Sequence, residues 1–335
     1  MDIILSIPIF AGFFIALFFI PIWIRKARQI GLIWDDKNKI GAEKVAGSGG
    51  IIVISSFIIS LFIFVAYRTF YLKDTAHLIE IISLATVIIL SAGIGFIDDL
   101  MGWQRGGLSI RTRLILVAIS AIPLMAINAG RHIVSLPFFG IIDFGIIYPL
   151  LLIPLGIVAT TTTFNFLAGF NGLEAGQGII MLSALGAVAY STGNPWLAVI
   201  NFCMVAILFA FLFYNFSPAK VFPGDVMTYG VGSLIGITAI LGNFEKIAIF
   251  FFIPYIIETI LKSRGGLIKA SFGKPRKDGS LEMPYDRIYG MTHLGIWVLK
   301  SLNIKPTEKR VVYLIWGFQI FIILLGLIIF GKGIF

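Results

Sequence analysis

Ten mostly apolar stretches alternate with short polar ones, each close to the ~20 residues an α-helix needs to cross a bilayer. They fall at about 3–24, 47–67, 78–97, 114–129, 146–164, 177–192, 196–214, 226–242, 246–262 and 311–331. The pattern predicts an all-α, polytopic integral membrane protein of about ten transmembrane helices. Several stretches are short, so tilt or local thinning of the bilayer is expected. The first is too long, and too poor in small residues at its end, for a cleaved signal peptide, and reads as the first span. No internal repeat or low-complexity tract is visible, and residues 1–335 read as a single transmembrane domain. Its longest polar segment, 263–310, has too few apolar residues before Ile288 to build a core and reads as a cytoplasmic loop or arm.

Composition supports the pattern. The chain is 58% hydrophobic and 13% charged, against about 25% charged in soluble domains, and its mean hydropathy is +0.98. A chain this apolar cannot cover a globular surface with polar groups. The single cysteine, Cys203, sits in an apolar run; it excludes an internal disulfide and a cysteine metal site, and reads as a packing residue.

The net charge of +9 would suggest nucleic acid for a soluble protein. Here its distribution gives a better account, and no nucleic-acid partner is expected. With the N-terminus outside, five loops face the cytoplasm: 25–46, 98–113, 165–176, 215–225 and 263–310. With the borderline Lys262 assigned to the last, they hold 6, 3, 0, 1 and 11 basic residues, 21 of the 26 in the chain. Cytoplasmic loops carry the excess of Lys and Arg, so both termini are placed on the non-cytoplasmic side. The outer loops are short and nondescript, whereas the inner ones contain nearly every chemically interesting residue. Any site is therefore expected on the cytoplasmic face.

Four inner segments could carry chemistry. In GIGFIDDL, Asp98 and Asp99 sit where a span meets the cytoplasm, a costly place for charge. A carboxylate pair at a helix C-terminus opposes the dipole, so plain capping is a poor explanation. In FNFLAGFNGLEAGQG, Asn165, Asn171, Glu174 and Gln177 lie among glycines with no basic residue, which suits a pocket for a metal and a base; Glu174 taken alone reads more readily as a solvated residue. In VFPGD, Asp225 begins a span, where a carboxylate is stabilised even without function. Its significance is combinatorial: Asp98, Asp99, Asn165 and Asp225 fall at one membrane face, an oxygen-rich set of the kind that holds Mg²⁺ with substrate phosphates. In FGKPRKDGSLEMPYDR, Lys274, Arg276 and Lys277 could clamp phosphates, or face lipid headgroups.

Other polar residues point less clearly. Arg105, Arg111 and Arg113 follow the acidic pair, and Arg113 could pair with a carboxylate or a lipid phosphate. His77, His132 and His293 are scattered, which disfavours a histidine metal site. Glu258 has Lys262 at i+4 as a structural partner. Gly47-Ser48-Gly49-Gly50 permits close approach to a phosphate or a close helix contact. Signatures of P-loop ATPases, zinc proteases and serine hydrolases are missing.

GFIDD, NFLAGFNGLEAGQ, FPGD and a basic loop before SLEMPYD, in that order, resemble the polyprenyl-phosphate N-acetylhexosamine-1-phosphate transferases of glycosyltransferase 4 type. The likeness runs from about residue 25 to the end, and GLEAGQ and LEMPY are closest to the archaeal and eukaryotic branch that uses dolichyl phosphate. The resemblance implies ten helices, a homodimer, a cytoplasmic Mg²⁺ site (Mn²⁺ as a substitute) and residence in an archaeal plasma membrane or ER-type membrane. It implies transfer of N-acetylglucosamine 1-phosphate from UDP-GlcNAc to dolichyl or another polyprenyl phosphate with release of UMP, opening lipid-linked oligosaccharide assembly for N-glycosylation. By position it implies Asn165 and Asp225 as metal ligands and Asp98 and Asp99 as the acidic pair near the lipid phosphate. Phe222 matches the aromatic against uracil, Asn171 a contact to uridine or phosphates, and Lys274 and Arg276 the diphosphate-binding basics. Arg113 stands where relatives usually have Lys, and Gly47 where they often carry an acid.

The reaction so implied is an in-line displacement, with Asp98 or Asp99 positioning the lipid phosphate, Arg113 beside them and Glu174 on the substrate side. A phospho-aspartate route stays open, as does a bacterial-type undecaprenyl-phosphate acceptor. A transporter of an anionic lipid or nucleotide sugar would need polarity along a midplane path, and a scaffold would not need carboxylates at one depth.

Overall fold

The computed structural model describes residues 6–41, 43–136 and 140–334, the side chains of Gln104, Arg105, Ser135, Leu136 and 332–334 lying outside the description. In chain order the elements are α1 (Ile7–Gln29), β1 (Ile33–Asp35), β2 (Lys44–Ala46), α2 (Gly50–Ala66), α3 (Leu78–Arg105), α4 (Ile110–Ser120), α5 (Ile122–Ala126), β3 (Ile133–Leu136) and β4 (Gly140–Asp143). There follow α6 (Ile153–Phe166), α7 (Leu173–Ser191), α8 (Pro195–Asn215), α9 (Gly224–Gly242), α10 (Glu245–Phe251) and α11 (Ile253–Ser263). The chain ends with β5 (Lys274–Pro275), β6 (Leu281–Glu282), α12 (Met291–Ser301) and α13 (Glu308–Ile334). The strands form three two-stranded antiparallel hairpins. Helices dominate because the apolar stretches offer no water to backbone amides, which must bond within their own segment.

Among the described residues, eight helices are long and apolar enough to cross a membrane. The stretches predicted at 114–129 and 246–262 are instead each broken into two helices, α4–α5 and α10–α11. Pro123 and Pro254 explain the breaks: neither ring can donate the i→i−4 bond, and each sits one residue after the start of its second helix. One end of each pair is placed by a polar contact. Arg113 of α4 reaches the carboxylates of α3 at one end, whereas Glu245 of α10 accepts a hydrogen bond from the Tyr148 hydroxyl at the other.

Several helices also outrun their apolar stretches. α3 continues to Arg105, so Asp98 and Asp99 lie inside a helix rather than in the loop after it, and α7 begins at Leu173, placing Glu174 in its first turn. Hydropathy stops at the first charges, but the helix continues where neighbouring protein satisfies them.

α9 is the central helix, 89% buried over its membrane window against 28% for α1 and for the α6 segment. It packs chiefly on α3 and α6, and touches α2, α7 and α8. Its contact with α6 is backbone-close: a Cβ on Gly232 would stand 2.7 Å from Thr161 Cα, and one on Gly236 2.5 Å from Thr160 Oγ1. Helix association within lipid uses such small-residue seams and interhelical hydrogen bonds, here Thr161 with Ser233 at 3.0 Å and Thr238 to Asn201 at 3.1 Å.

The seam predicts a substitution effect. Gly232→Ala drives its methyl into backbone that a rotamer change cannot move, costing about 1–3 kcal/mol; the detergent-solubilised protein should melt several degrees lower. Gly93→Ala, with nothing within 4 Å of its Cβ, should leave the melting temperature unchanged. Equal melting of the two variants would contradict the seam.

Candidate active site

The five loops that the charge pattern places on one side meet at one end of the bundle. The first contributes the β1–β2 hairpin, which joins the FPGD segment through a parallel bridge between Ala46 and Val221 and a bond from Phe222 N to Ala46 O at 2.8 Å. The glycine run that follows β2 approaches the same segment, Gly49 N to Phe222 O at 2.9 Å and Gly50 N to Pro223 O at 2.8 Å. Its glycines therefore serve a close chain contact. These bonds present the start of α9 to a cavity of about 390 Å³.

The cavity is lined by Asp99, Asn165, Asn171, Glu174, Phe222 and Asp225, all anticipated from sequence. Each arrives from a helix end: Asp99 from the last turns of α3, Asn165 from the end of α6, Glu174 from the start of α7, and Asp225 from the start of α9. Asp99 Oδ1 accepts the Asp225 amide at 2.8 Å and its Oδ2 the Val226 amide at 3.5 Å. The carboxylate thus caps the N-terminus of α9, which resolves its unfavourable place on α3: it faces another helix's positive end. Gly224 makes the approach feasible, with φ +70 and Asp99 Oδ2 only 2.2 Å from where a Cβ would stand.

Asp98 is buried and faces Arg113. Arg113 Nη1 lies 3.0 Å from Asp98 Oδ2 and 3.7 Å from Asp225 Oδ2, a guanidinium between two carboxylates of different helices. The Leu108 amide also donates to Asp98. Two carboxylates thus converge on one guanidinium, with Asp99 held beside Asp225 on the α9 amides. Clustered charge at this depth is costly unless compensated, and the set carries an excess of negative charge that a cation would offset. No group of three or more His, Cys, Asp or Glu among the described residues is compact enough to hold a metal alone. The donors suit Mg²⁺, which takes one or two carboxylates and completes its shell with water and phosphate. Asp225, with its side chain 26% exposed, and half-buried Asn165 are the lining oxygens that fit.

The remaining expected residues sort unevenly. Glu174 is buried, not solvated: its Oε1 accepts the Gly169 amide at 2.9 Å and pins the glycine-rich loop. The Asn171 side-chain amide donates to Asp36 Oδ2 at 2.8 Å. Lys274 and Arg276 do not line the cavity: both are exposed on the β5–β6 hairpin, with the Arg276 guanidinium paired to Glu282. The hairpin's own acid occupies the charge that sequence reading assigned to a ligand. Lys37 is instead the only basic residue lining the cavity among the described residues, with Nζ 5.0 Å from the Phe272 ring. Trp34, Asp35, Asp36 and Lys37 of the first loop went unrecognised in sequence; the signal was an acidic pair, Asp35-Asp36, inside an otherwise basic loop. Glu258 accepts the Met291 amide at 2.5 Å and pairs with Lys262, anchoring α12 to α11; His293 is buried beside Tyr285 in the same arm.

A second, apolar cavity of about 500 Å³ runs along α6 between α9 and α10–α11, lined from Tyr148 to Thr163. Among the described residues, it shares no lining residue with the polar cavity.

Residues 81–243 match the sequence profile of Glycosyl transferase family 4. A Saccharolobus solfataricus protein with the provisional name UDP-N-acetylglucosamine–dolichyl-phosphate N-acetylglucosaminephosphotransferase is 35% identical over 318 residues, 93% of this chain and 92% of the relative. A Sulfolobus acidocaldarius protein with the same provisional name is 31% identical over 330 residues, 98% and 96% of the two chains. The Dictyostelium discoideum protein of that name, without the qualifier, is 31% identical over 268 residues, 68% and 64%. The matched region spans the acidic-pair helix through α9, the first two relatives align over nearly the whole of this membrane protein, and the chain belongs to glycosyl transferase family 4.

Proposed function

We propose that this protein transfers N-acetylglucosamine 1-phosphate from UDP-GlcNAc to dolichyl or another polyprenyl phosphate, releasing UMP, the opening step of lipid-linked oligosaccharide assembly for N-glycosylation. The observation that carries the reading is the polar cavity lined by Asp99, Asn165 and Asp225, which suits a soluble nucleotide sugar; a separate apolar cavity along α6 suits a polyprenyl chain. Relatives named for this reaction, matched over almost the full chain, support the substrate pair.

The chemistry is read as a single displacement. An oxygen of the lipid phosphate attacks the β-phosphorus of UDP-GlcNAc, the bond from that phosphorus to the bridging oxygen breaks, and UMP leaves with the oxygen. Asp225 and Asn165 would hold Mg²⁺, or Mn²⁺ in its place, which when bound neutralises the diphosphate and the charge growing on the leaving group. Arg113, bridging Asp98 and Asp225, supplies a fixed positive charge beside the reacting phosphates. Asp98 orients that guanidinium and Asp99 orients α9, so both serve positioning; a lipid phosphate, with its second pKa near 6, needs little help losing a proton. Phe222 offers an aromatic face for the base, Lys37 a charge for the phosphates, and Asn171 and Glu174 shape the wall.

We further read the bundle as ten crossings, the two broken pairs included, with both termini on the non-cytoplasmic side and the cavity on the cytoplasmic side. The loops meeting at the cavity are those that hold 21 of the 26 basic residues. Segment 263–310 acts as an arm of this one catalytic unit, and the family resemblance suggests a homodimer.

Purified protein with Mg²⁺, labelled UDP-GlcNAc and dolichyl phosphate should release UMP only when the lipid phosphate is present. Absence of lipid-linked product from every UDP-N-acetylhexosamine tried would sink the reading. Chelation by EDTA should stop turnover and added Mg²⁺ should restore it, whereas Asp225→Ala should lose activity that metal cannot rescue.

Arg113→Lys keeps the charge but gives up the planar fork between two acids, and should lower kcat/KM by about tenfold. Lys37→Ala should weaken UDP-GlcNAc binding more than Lys274→Ala, as steady-state KM values would show; the reverse order would return the phosphate-binding role to the arm.

A further inference from the structure

Glu308 opens α13, far from every motif above, yet it is buried, 5% exposed. A glutamate in a first helical turn gains from the dipole while remaining in water. Burying it is costly unless its oxygens are satisfied, and here three other segments of the chain satisfy them. Its Oε1 accepts the Asn171 backbone amide at 2.9 Å and the Asn38 side-chain amide at 3.3 Å. Its Oε2 accepts the Ser217 hydroxyl at 3.1 Å and is ion-paired with Lys39.

The partners of Glu308 are in turn bonded to the cavity wall. Asn38 donates to Gly169 O at 2.8 Å and accepts the Gly273 amide at 3.0 Å, joining the first loop, the glycine-rich loop and the arm. Asn171 reaches Asp36, and Asp36, Gly169 and Asn171 all line the polar cavity. The cavity thus has two hydrogen-bonded frames. One is built on Asp98, Asp99, Arg113 and Asp225; the other is built on Glu308.

We propose that Glu308 is a positioning residue that holds the substrate-binding wall of the cavity, through Asn171, Asn38 and Lys39, without touching the reacting atoms. The inference rests on the transferase reading for its substrate, UDP-GlcNAc. Loss of Glu308 leaves the Asn171 amide without its acceptor and Lys39 without its buried counter-charge, so the glycine-rich loop loosens while the Arg113 frame stays intact. The cost falls on binding rather than on transfer.

The test compares wild type, Glu308→Gln and Glu308→Ala in the detergent-solubilised full chain. Glu308→Ala should raise KM for UDP-GlcNAc by about tenfold, the loss expected of one charged acceptor, with kcat within about threefold of wild type. Glu308→Gln keeps an amide acceptor but no charge for Lys39, so its KM should fall between the two. An unchanged KM in Glu308→Ala, whatever happens to kcat or melting temperature, overturns the proposal; if that variant does not fold, Glu308→Gln with an unchanged KM does so. Amide exchange supplies a readout without turnover: residues 168–173 should exchange faster in either variant and α9 should not. If wild type proves inactive, the transferase reading fails alone. The positioning role then stands on faster exchange confined to that loop and falls if the loop is unchanged.

Discussion

The contact on which the site depends is the Asp99 carboxylate against the first amides of α9. It fixes the start of the central helix to the end of α3, and with it the direction of Asp225. Helix N-termini carry unsatisfied amides and partial positive charge. In a membrane protein they cannot turn to water at every depth, so a carboxylate from a neighbouring helix solves two problems together. The same geometry requires Gly224 and brings Asp98 near Arg113. Chemistry and packing therefore share one set of atoms, and changes to the Asp99–Asp225 frame will register in both stability and turnover.

Energetically, the cluster is a deliberate excess. Three carboxylates beside one guanidinium repel one another in a medium where charge is poorly screened. Under the proposed reading, a further cation entering with substrate would offset this repulsion. The enclosing helices supply the rigidity: α9, the most buried helix, is locked to α6 through glycines and hydroxyls that allow little independent motion.

Much of this was legible in the sequence because hydropathy and charge are local signals. Apolar stretches located the eight helices long enough to cross a membrane, and the distribution of Lys and Arg grouped five loops that do meet. Asp98, Asp99, Asn165 and Asp225 stood out because oxygen-bearing side chains at membrane depth are costly and all four fall at one face. What stayed hidden was long-range. Asn38 and Glu308 are 270 residues apart and neither lies in a recognisable motif. Only the fold shows that Asp36 backs Asn171. Lys274 and Arg276 drew notice as a compact basic group, yet their placement is decided by a two-residue hairpin and by Glu282, a partner whose pairing no pattern encodes. The breaks at Pro123 and Pro254 were visible as residues but not as breaks, since proline is also tolerated within membrane helices.

The central claim is that the carboxylate excess around Arg113 is a cation site built on Asp225. Mn²⁺ binding to the purified protein, followed by electron paramagnetic resonance, tests it without relying on turnover. The account predicts one Mn²⁺ per chain in the presence of UDP-GlcNAc, displaced by excess Mg²⁺ and lost in Asp225→Asn. Equal Mn²⁺ binding by wild type and Asp225→Asn, or none by wild type with the nucleotide sugar present, would contradict it.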